Sequence, residues 1–203
     1  MSILSSLEKI ADERLSDCYD RSCAMVEFDP ESFILIQRYI DNIPKDVIFY
    51  GDEETGTLGI PDHPHVTIVY GYRTPSEIDI LNSFRYYSKN YVDITLGKLD
   101  VFQRELYNVL YISVKSNDLT TLRNMSLQSG LKIDLDYPVY TPHVTLAYIK
   151  KQAREYLEEK IGDETFNGVE VKGINLRITT ITGRDCLYSF DKDRKLKYEK
   201  GEF

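Results

Sequence analysis

Two identical tetrapeptides hold most of the histidine in this chain. Residues 64–67 and 142–145 both read Pro-His-Val-Thr, and each copy continues through Ile or Leu towards a Tyr. The chain has only three histidines, His63, His65 and His143, and all of them lie in or beside these copies. Because imidazole titrates near neutral pH without any perturbation, this placement predicts acid and base chemistry by a pair of histidines.

Each copy places its histidine and threonine on one face of a predicted strand. Side chains alternate across a strand, so His65 and Thr67 point to one side and the apolar residues between and after them point to the other. His143 and Thr145 repeat this pattern. The proline before each histidine suits the first residue of a strand, where no ladder N–H is lost.

Convergence of the two polar faces predicts phosphodiester cleavage. One histidine would take a proton from an attacking water or ribose hydroxyl, and the other would give a proton to the departing oxygen. Thr67 and Thr145 would donate hydrogen bonds to the equatorial phosphate oxygens, where charge develops. These steps require no metal ion, and the pattern leaves open which histidine is the acid and which is the base.

The elements that would position the motifs form one α+β unit used twice. The two histidines are 143 − 65 = 78 residues apart, and each motif strand is followed by a helical pattern. No glycine-rich phosphate loop follows a strand, which argues against a doubly wound parallel sheet. The predicted elements are a strand at 24–28, a helix from Asp29-Pro30, a strand at 65–70, a helix with a Thr74-Pro75-Ser76-Glu77 capping box, a hairpin of 91–101 with 109–114, a helix capped by Asn117, a helix at 151–160 and a strand at 169–182.

Three further segments complete the predicted organisation. Residues 3–16 have the spacing of an amphipathic opening helix, which would pack on the body or on a second copy of the chain. Residues 51–63 are rich in glycine and acidic residues and form our candidate lid over the first motif. We expect domain boundaries of 1–20 for the N-terminal helix, 21–183 for one bilobal domain and 184–203 for a charged, peripheral tail.

Composition limits the partners of this chain. Its 203 residues carry a net charge of −8, which disfavours long nucleic acids but allows a small nucleotide bound by a local cluster. Three cysteines without a CxxC pair indicate a reducing compartment and structural thiols. No apolar run approaches a signal core or a membrane span. We therefore expect a cytoplasmic protein with no membrane partner, as a monomer or as a homodimer through the N-terminal helix.

The two motifs resemble the signature of the two-histidine (2H) phosphoesterase superfamily, which includes 2'-5' RNA ligase-like proteins and cyclic phosphodiesterases. That signature is two copies of H-x-[TS]-hydrophobic, and the segments His65-Val66-Thr67-Ile68 and His143-Val144-Thr145-Leu146 both satisfy it. The resemblance covers roughly residues 24–182. It implies a bilobal α+β fold, with two pseudo-twofold-related lobes of mostly antiparallel sheet, outer helices and a central cleft.

The same resemblance implies a cofactor-free phosphodiesterase with His65, Thr67, His143 and Thr145 as its catalytic residues. Its substrate would be a small nucleotide or a short or cyclic oligonucleotide, with a 2',3'-cyclic phosphate, a 2'-5' linkage or a cyclic dinucleotide as the scissile group. Some phage-encoded members destroy the cyclic nucleotide signals of bacterial immunity. A virus-encoded member would act in the host cytoplasm.

Several residues near the motifs are candidates for substrate contacts. Tyr50 and Tyr140 flank the approaches to the motif strands, where a base could stack on them, and Lys150 could meet a phosphate. Tyr70 and Tyr148 alternate out of phase with the histidines, which predicts that they belong to the core.

Two alternative functions use the same residues. A nucleotide-binding sponge would keep the cleft without turnover, although retention of both His-x-Thr pairs argues against it. A metal-dependent hydrolase would use His63 and His65 with Asp62. That reading lacks further ligands, because the one remaining histidine is followed by a threonine and not by an acid.

Overall fold

Seven strands and four helices make up the described part of the chain. The computed structural model describes residues 21–51, 59–135 and 139–191. The strands are β1 (Ser22–Phe28), β2 (His65–Tyr72), β3 (Val92–Gln103), β4 (Tyr107–Lys115), β5 (His143–Lys150), β6 (Glu170–Thr179) and β7 (Asp185–Ser189). The helices are α1 (Pro30–Asp41), α2 (Glu77–Ser83), α3 (Asn117–Leu127) and α4 (Arg154–Lys160), with a 3₁₀ turn at Lys45–Val47.

All strand pairings are antiparallel, in the order β1-β2-β5-β4-β3-β6-β7. β6 also pairs with β1, so six of the strands close into a ring and β7 extends it beside β6. The helices pack on the sheet, with α1 against β1 and β5, and α3 against β2 and β3. The predicted α+β fold of mostly antiparallel sheet with outer helices is confirmed. None of the described helices combines the length and apolar composition that a membrane span needs.

The strands form two groups that meet in two places, where β3 pairs with β6 and where β2 pairs with β5 at the motifs. β1, β2, β6 and β7 form one group, and β3, β4 and β5 form the other. β2 and β5 are joined at one residue pair, Val66 with Val144, directly after the two motif histidines. Both valines are fully buried, as are Ile68 and Leu146 behind them. Burial of these apolar side chains fixes the register of each motif strand, since a slip of one residue would turn them towards the cleft.

A β-bulge interrupts each motif strand at the equivalent residue. In β2, Thr67 pairs with Met25 and Val69 pairs with Ala24, so that Ile68 is an extra residue. In β5, Leu146 is the extra residue, between the Thr145 and Ala147 pairs. The two bulges are 146 − 68 = 78 residues apart, the same spacing as the histidines. A bulge shifts the alternation of side chains by one residue.

The bulges overturn the prediction that Tyr70 and Tyr148 belong to the core. Alternation from His65 would bury Tyr70, but the extra residue returns it to the face of the histidine, and it is 42% exposed. Tyr148 is likewise only partly buried. Neither Ile68 nor Leu146 is a Gly or a Pro, so the sequence carries no signal for this change of phase. A second register shift in β2 leaves Gly71 as an extra residue between the pairs made by Tyr70 and Tyr72.

Two predicted helix caps are also wrong, each by one or two residues. Asp29 caps α1 as expected, because its side chain accepts a hydrogen bond from the Ser32 amide at 2.8 Å. α2 is capped by Ser76 and not by Thr74. α3 is capped by Ser116, the residue before Asn117. Both serines accept from the amide three residues on, which a short hydroxyl reaches easily.

The charged tail starts later than predicted. Asp185–Ser189 forms β7, which pairs with β6 and buries Cys186 and Tyr188. The alternating pattern Asp-Cys-Leu-Tyr-Ser is typical of an edge strand, but charged residues on both sides obscured it in the sequence. The predicted N-terminal helix, residues 52–58 of the candidate lid and residues 192–203 of the tail lie outside the described residues.

Candidate active site

One cavity brings the two motifs together. It has a volume of about 850 Å³ and is lined by all four motif side chains, His65, Thr67, His143 and Thr145. It lies where β2 and β5 pair, so that each strand group contributes one histidine and one threonine. The four predicted catalytic residues therefore share a single space large enough for a nucleotide.

Both histidines are anchored in the same way. His65 Nδ1 lies 2.8 Å from the carbonyl oxygen of His63, and His143 Nδ1 lies 2.7 Å from that of Thr141. A carbonyl oxygen can only accept, so Nδ1 must be the protonated nitrogen of each neutral ring. Each bond fixes the ring orientation and leaves Nε2 with a lone pair for proton transfer.

His65 lies beside a network of ion pairs. Glu27 of β1 pairs with His65 in the sheet register. The Arg177 guanidinium of β6 binds the carboxylates of Glu27 and Asp185 at once, and both Arg177 and Asp185 line the cavity. The predicted tail thus supplies a residue of the cleft. Two carboxylates and one guanidinium give this side of the cavity a net negative charge.

His143 lies among aromatic rings instead. Its ring centroid is 4.9 Å from that of Phe102 and 5.3 Å from that of Tyr111, both in edge-to-face geometry. Phe102 and Tyr111 stack on each other with centroids 4.0 Å apart. In the sheet register, His65 is paired with Glu27, whereas His143 is paired with Ser113. The two halves of the site are therefore alike in backbone and different in charge.

Burial lowers the pKa of His65, because a desolvated imidazole binds its proton less readily. Its backbone hydrogen bond and the Glu27 carboxylate oppose this effect by raising the pKa, whereas His143 and Arg177 lower it further. The influence of His143 on this pKa follows from the shared cavity, in which the two rings are electrostatic neighbours.

The pKa of His143 is lowered for the same first reason. Burial is again the largest cause, the backbone hydrogen bond raises the pKa, and the Arg104 guanidinium lowers it. Among the described residues, no carboxylate offsets the burial of His143 as Glu27 does for His65. The neutral form is therefore favoured at both histidines, and in this part of the chain a compensating carboxylate lies beside His65 but not beside His143.

Thr67 is held through its backbone. The Tyr140 hydroxyl donates to its carbonyl oxygen at 2.9 Å. Burial raises the pKa of the Cys23 thiol to about 12, which fits the structural role expected for this cysteine. Cys186 is also a free thiol, and Cys18 lies outside the described residues.

The predicted substrate contacts divide into two groups. Tyr50 lines the cavity of the motifs, and Tyr140 lines an adjoining one. Lys150 lines neither, because its ammonium donates to the Asp46 carbonyl at 2.8 Å at the far end of β5. The prediction that Lys150 meets a phosphate therefore has no support in its position.

Several residues of the site were missed by sequence reasoning. Glu27, Arg177 and Phe102 surround the histidines but lie in ordinary strand patterns, with no motif around them. Only the sheet pairing brings them to the cleft, and pairing of residues 150 positions apart, as between Glu27 and Arg177, has no signal in a single sequence.

Asp62 and His63 line the cavity, as the metal-hydrolase alternative requires. His63 also lies near the Phe33 ring, with a centroid separation of 6.3 Å. Among the described residues, however, no group of three or more His, Cys, Asp or Glu side chains is placed to hold a metal ion. The contribution that His63 makes to the site is its backbone carbonyl, which orients His65.

A family model decides the relationship of this chain to known proteins. The model of the 2'-5' RNA ligase superfamily matches residues 60–180, more than half of the chain and both motifs. The chain belongs to the 2'-5' RNA ligase superfamily. The resemblance to 2H phosphoesterases drawn from the two motifs is thereby confirmed, and with it membership of a superfamily of phosphoesterases and RNA ligases.

Solved structures share the fold of this superfamily member. Usb1 of Kluyveromyces marxianus matches with a TM-score of 0.54 and 11% identity, over 84% of this chain and 98% of that one. TT0787 of Thermus thermophilus matches with a TM-score of 0.55 and 16% identity, over 78% of this chain and 86% of that one. LigT of E. coli in its apo form matches with a TM-score of 0.52 and 14% identity, over 84% of this chain and 94% of that one. A search of curated proteins gave no significant match.

Proposed function

We propose that this protein is a phosphodiesterase that cleaves a phosphodiester of a small nucleotide or a short oligonucleotide by paired-histidine acid and base catalysis. The observation that carries the proposal is the pair of His-x-Thr motifs around one cavity, each histidine anchored through Nδ1. His65 and His143 transfer the protons, while Thr67 and Thr145 hold the phosphate through their hydroxyls.

The charges around the two rings support an assignment of roles. The Glu27 carboxylate favours a protonated imidazole at His65, with the Arg177 guanidinium opposing it. Arg104 near His143 disfavours a second proton on that ring. In our proposal, His65 is therefore the general acid and His143 the general base.

The proposed reaction needs only these groups. His143 Nε2 accepts the proton of a water or ribose hydroxyl while the oxygen of that group forms a bond to phosphorus. The bond from phosphorus to the departing oxygen breaks, and His65 Nε2 gives this oxygen its proton. The anionic diester favours protonation of the nearby ring when it binds, and thereby offsets the lowering of its pKa by burial.

Candidate substrates follow from the superfamily and the size of the cavity. They are 2',3'-cyclic phosphates, 2'-5'-linked oligonucleotides and cyclic dinucleotides, the last of which would make the protein a degrader of immune signals. One solved structure with this fold is that of Usb1 with uridine monophosphate, at a TM-score of 0.51 and 9% identity. A ligand of that size agrees with a cavity of about 850 Å³.

The test incubates the wild type, His65→Ala and His143→Ala with a 2',3'-cyclic phosphate, a 2'-5'-linked oligonucleotide and a cyclic dinucleotide in the presence of EDTA. Chromatography measures how much of each substrate is consumed. We expect each variant to lose roughly 10²–10⁴-fold in kcat, the contribution of one proton-transfer group, with an unchanged circular dichroism spectrum. Tyr86→Ala is the control, because Tyr86 is exposed and lines neither cavity of the cleft.

Three results would contradict the proposal. Near-normal activity in both histidine variants would remove the catalytic pair. Loss of wild-type activity with EDTA would favour the metal-dependent hydrolase that uses His63 and His65. Recovery of intact ligand from the denatured wild-type complex after long incubation would indicate a nucleotide sponge.

A further inference from the structure

A second chamber opens from the catalytic cavity. It has a volume of about 480 Å³ and is lined by Thr67, Tyr70, Phe102, Arg104, Tyr140 and His143, among others. Thr67 and His143 line both spaces, so the two meet at the point where the scissile phosphate would lie. Whatever is attached to the phosphate on this side must enter the second chamber.

The mouth of the second chamber carries exposed apolar side chains. Val139 is 75% exposed, and Tyr70 and Leu135 are also exposed, although all three line the same space. Apolar side chains gathered around one concave opening are characteristic of a ligand site, whereas exposed apolar residues scattered singly need no explanation. Tyr70 reaches this position only because of the bulge at Ile68.

Two guanidinium groups line the chamber beside its aromatic rings. Arg123 donates to the Ile68 carbonyl at 2.9 Å and lies 4.4 Å from the centre of the Tyr140 ring. Arg104 lies 5.9 Å from the centre of the Phe102 ring. Rings and guanidinium planes together form a surface on which a flat base can stack, and their positive charge suits an attached phosphate.

We propose that the second chamber binds the nucleobase of a second nucleoside, so that the preferred substrate carries a nucleoside on each side of the scissile phosphate. This inference rests on the proposed function, because it takes the phosphate to lie between the two histidines. A 2',3'-cyclic mononucleotide would fill only one of the two spaces. Binding energy from the second base would then be available to raise kcat/KM for a dinucleotide.

The experiment compares two substrates, 2'-5'-linked diadenosine monophosphate and adenosine 2',3'-cyclic phosphate, and reports the ratio of their kcat/KM values. We expect the wild-type ratio to favour the dinucleotide. Tyr70→Ala should lower this ratio roughly 5- to 150-fold, the range expected for the loss of one stacked base. Val139→Asp should also lower it, because it replaces an apolar side chain of the second chamber with a hydrated carboxylate, and only the dinucleotide places a base there.

Matched controls separate the chamber from general surface effects. Tyr86→Ala makes the same change as Tyr70→Ala, and Leu106→Asp likewise replaces an exposed aliphatic side chain with Asp. Both residues line neither space, so these variants should leave the ratio unaltered. All four sites are exposed, so the variants should fold. A ratio unchanged within about twofold in both Tyr70→Ala and Val139→Asp would overturn the inference.

A binding measurement keeps this outcome distinct from failure of the proposed function. The His65→Ala protein should bind the dinucleotide more tightly than adenosine 2',3'-cyclic phosphate, and addition of Tyr70→Ala should abolish the difference. Equal affinities in the His65→Ala protein would remove the second site even if catalysis by the histidines stands. Full turnover by His65→Ala would remove the proposed function, while the affinity comparison would still decide whether the chamber binds a base.

Discussion

At the scale of single residues, the two histidines have the same anchor and different neighbours. The repeat in the sequence predicts the likeness, because identical tetrapeptides at strand starts adopt the same backbone. It cannot predict the difference, since Glu27 and Ser113 are brought opposite His65 and His143 only by pairing with other strands. The proposed acid and base roles depend on this difference in charge.

Replacement of Glu27 tests the assignment of roles. The Glu27 carboxylate raises the pKa of His65, so Glu27→Gln should lower that pKa. A general acid must be protonated to act, and its pKa sets the alkaline limb of the profile of kcat/KM against pH. We therefore expect this limb to move to lower pH while the acid limb stays in place. Initial rates across the pH range measure both limbs.

Glu155→Gln provides the control, since it removes the same charge from an exposed position on α4. It should leave both limbs where they are in the wild type. Movement of the acid limb in Glu27→Gln would instead identify His65 as the base and reverse the assignment, and an unmoved profile would show that Glu27 has no influence on the reacting groups.

At the scale of elements, the sequence predicts the strands and their starts well and the bulges not at all. The hairpin of β3 and β4 and the strands from His65 and His143 all lie where apolar alternation and turn residues place them. Alternation can be extrapolated along a strand only while the strand remains regular. A single inserted residue at Ile68 reverses it, with no local signature, and this is why Tyr70 was assigned to the core.

Gly71 provides a test of how tightly β2 is held after its bulge. Its φ is +121°, and a Cβ at this position would overlap the Asp134 carbonyl oxygen. Gly71→Ala should therefore combine backbone strain with a clash against backbone, and lower the free energy of unfolding by about 3 kcal/mol or more. Denaturant unfolding followed by circular dichroism measures this loss.

Gly130→Ala is the matched control. Gly130 also has a positive φ, of +83°, but a Cβ there would meet no atom within 4 Å. Gly130→Ala should lower the free energy of unfolding only by the cost of the strained backbone, about 1 kcal/mol. An equal decrease in the free energy of unfolding in the two variants would mean that the Asp134 backbone does not restrict the space beside Gly71.

At the scale of the whole molecule, an acidic chain encloses a cleft bordered by a few guanidinium groups. The net charge is −8, whereas Arg104 and Arg123 line the second chamber beside the motifs. The overall charge predicts that long nucleic acids are not the partner. Which cations face the cleft depends on tertiary pairing, so the local positive charge could not be located from the sequence.

This distribution of charge predicts a shallow dependence of binding on salt. A site that contacts one or two phosphates of a single strand should give a slope of log K against log[salt] of roughly −0.7 to −1.4, far below that of proteins with many phosphate contacts. Oligonucleotides longer than a few residues should bind no more tightly than short ones, because the acidic surface repels their remaining phosphates. Titrations of the His65→Ala protein with adenylates of increasing length would measure both. Affinity that rises steadily with length would contradict this account.

The most direct test of the paired histidines is the dependence of kcat/KM on pH in the wild type, His65→Ala and His143→Ala, with one diester substrate. The wild type should give a bell-shaped profile. Burial lowers the pKa of both rings, so we predict that the maximum lies on the acid side of neutrality. His143→Ala should lose the acid limb and His65→Ala the alkaline limb. A profile that keeps both limbs in both variants would show that other groups transfer the protons, and would contradict the account.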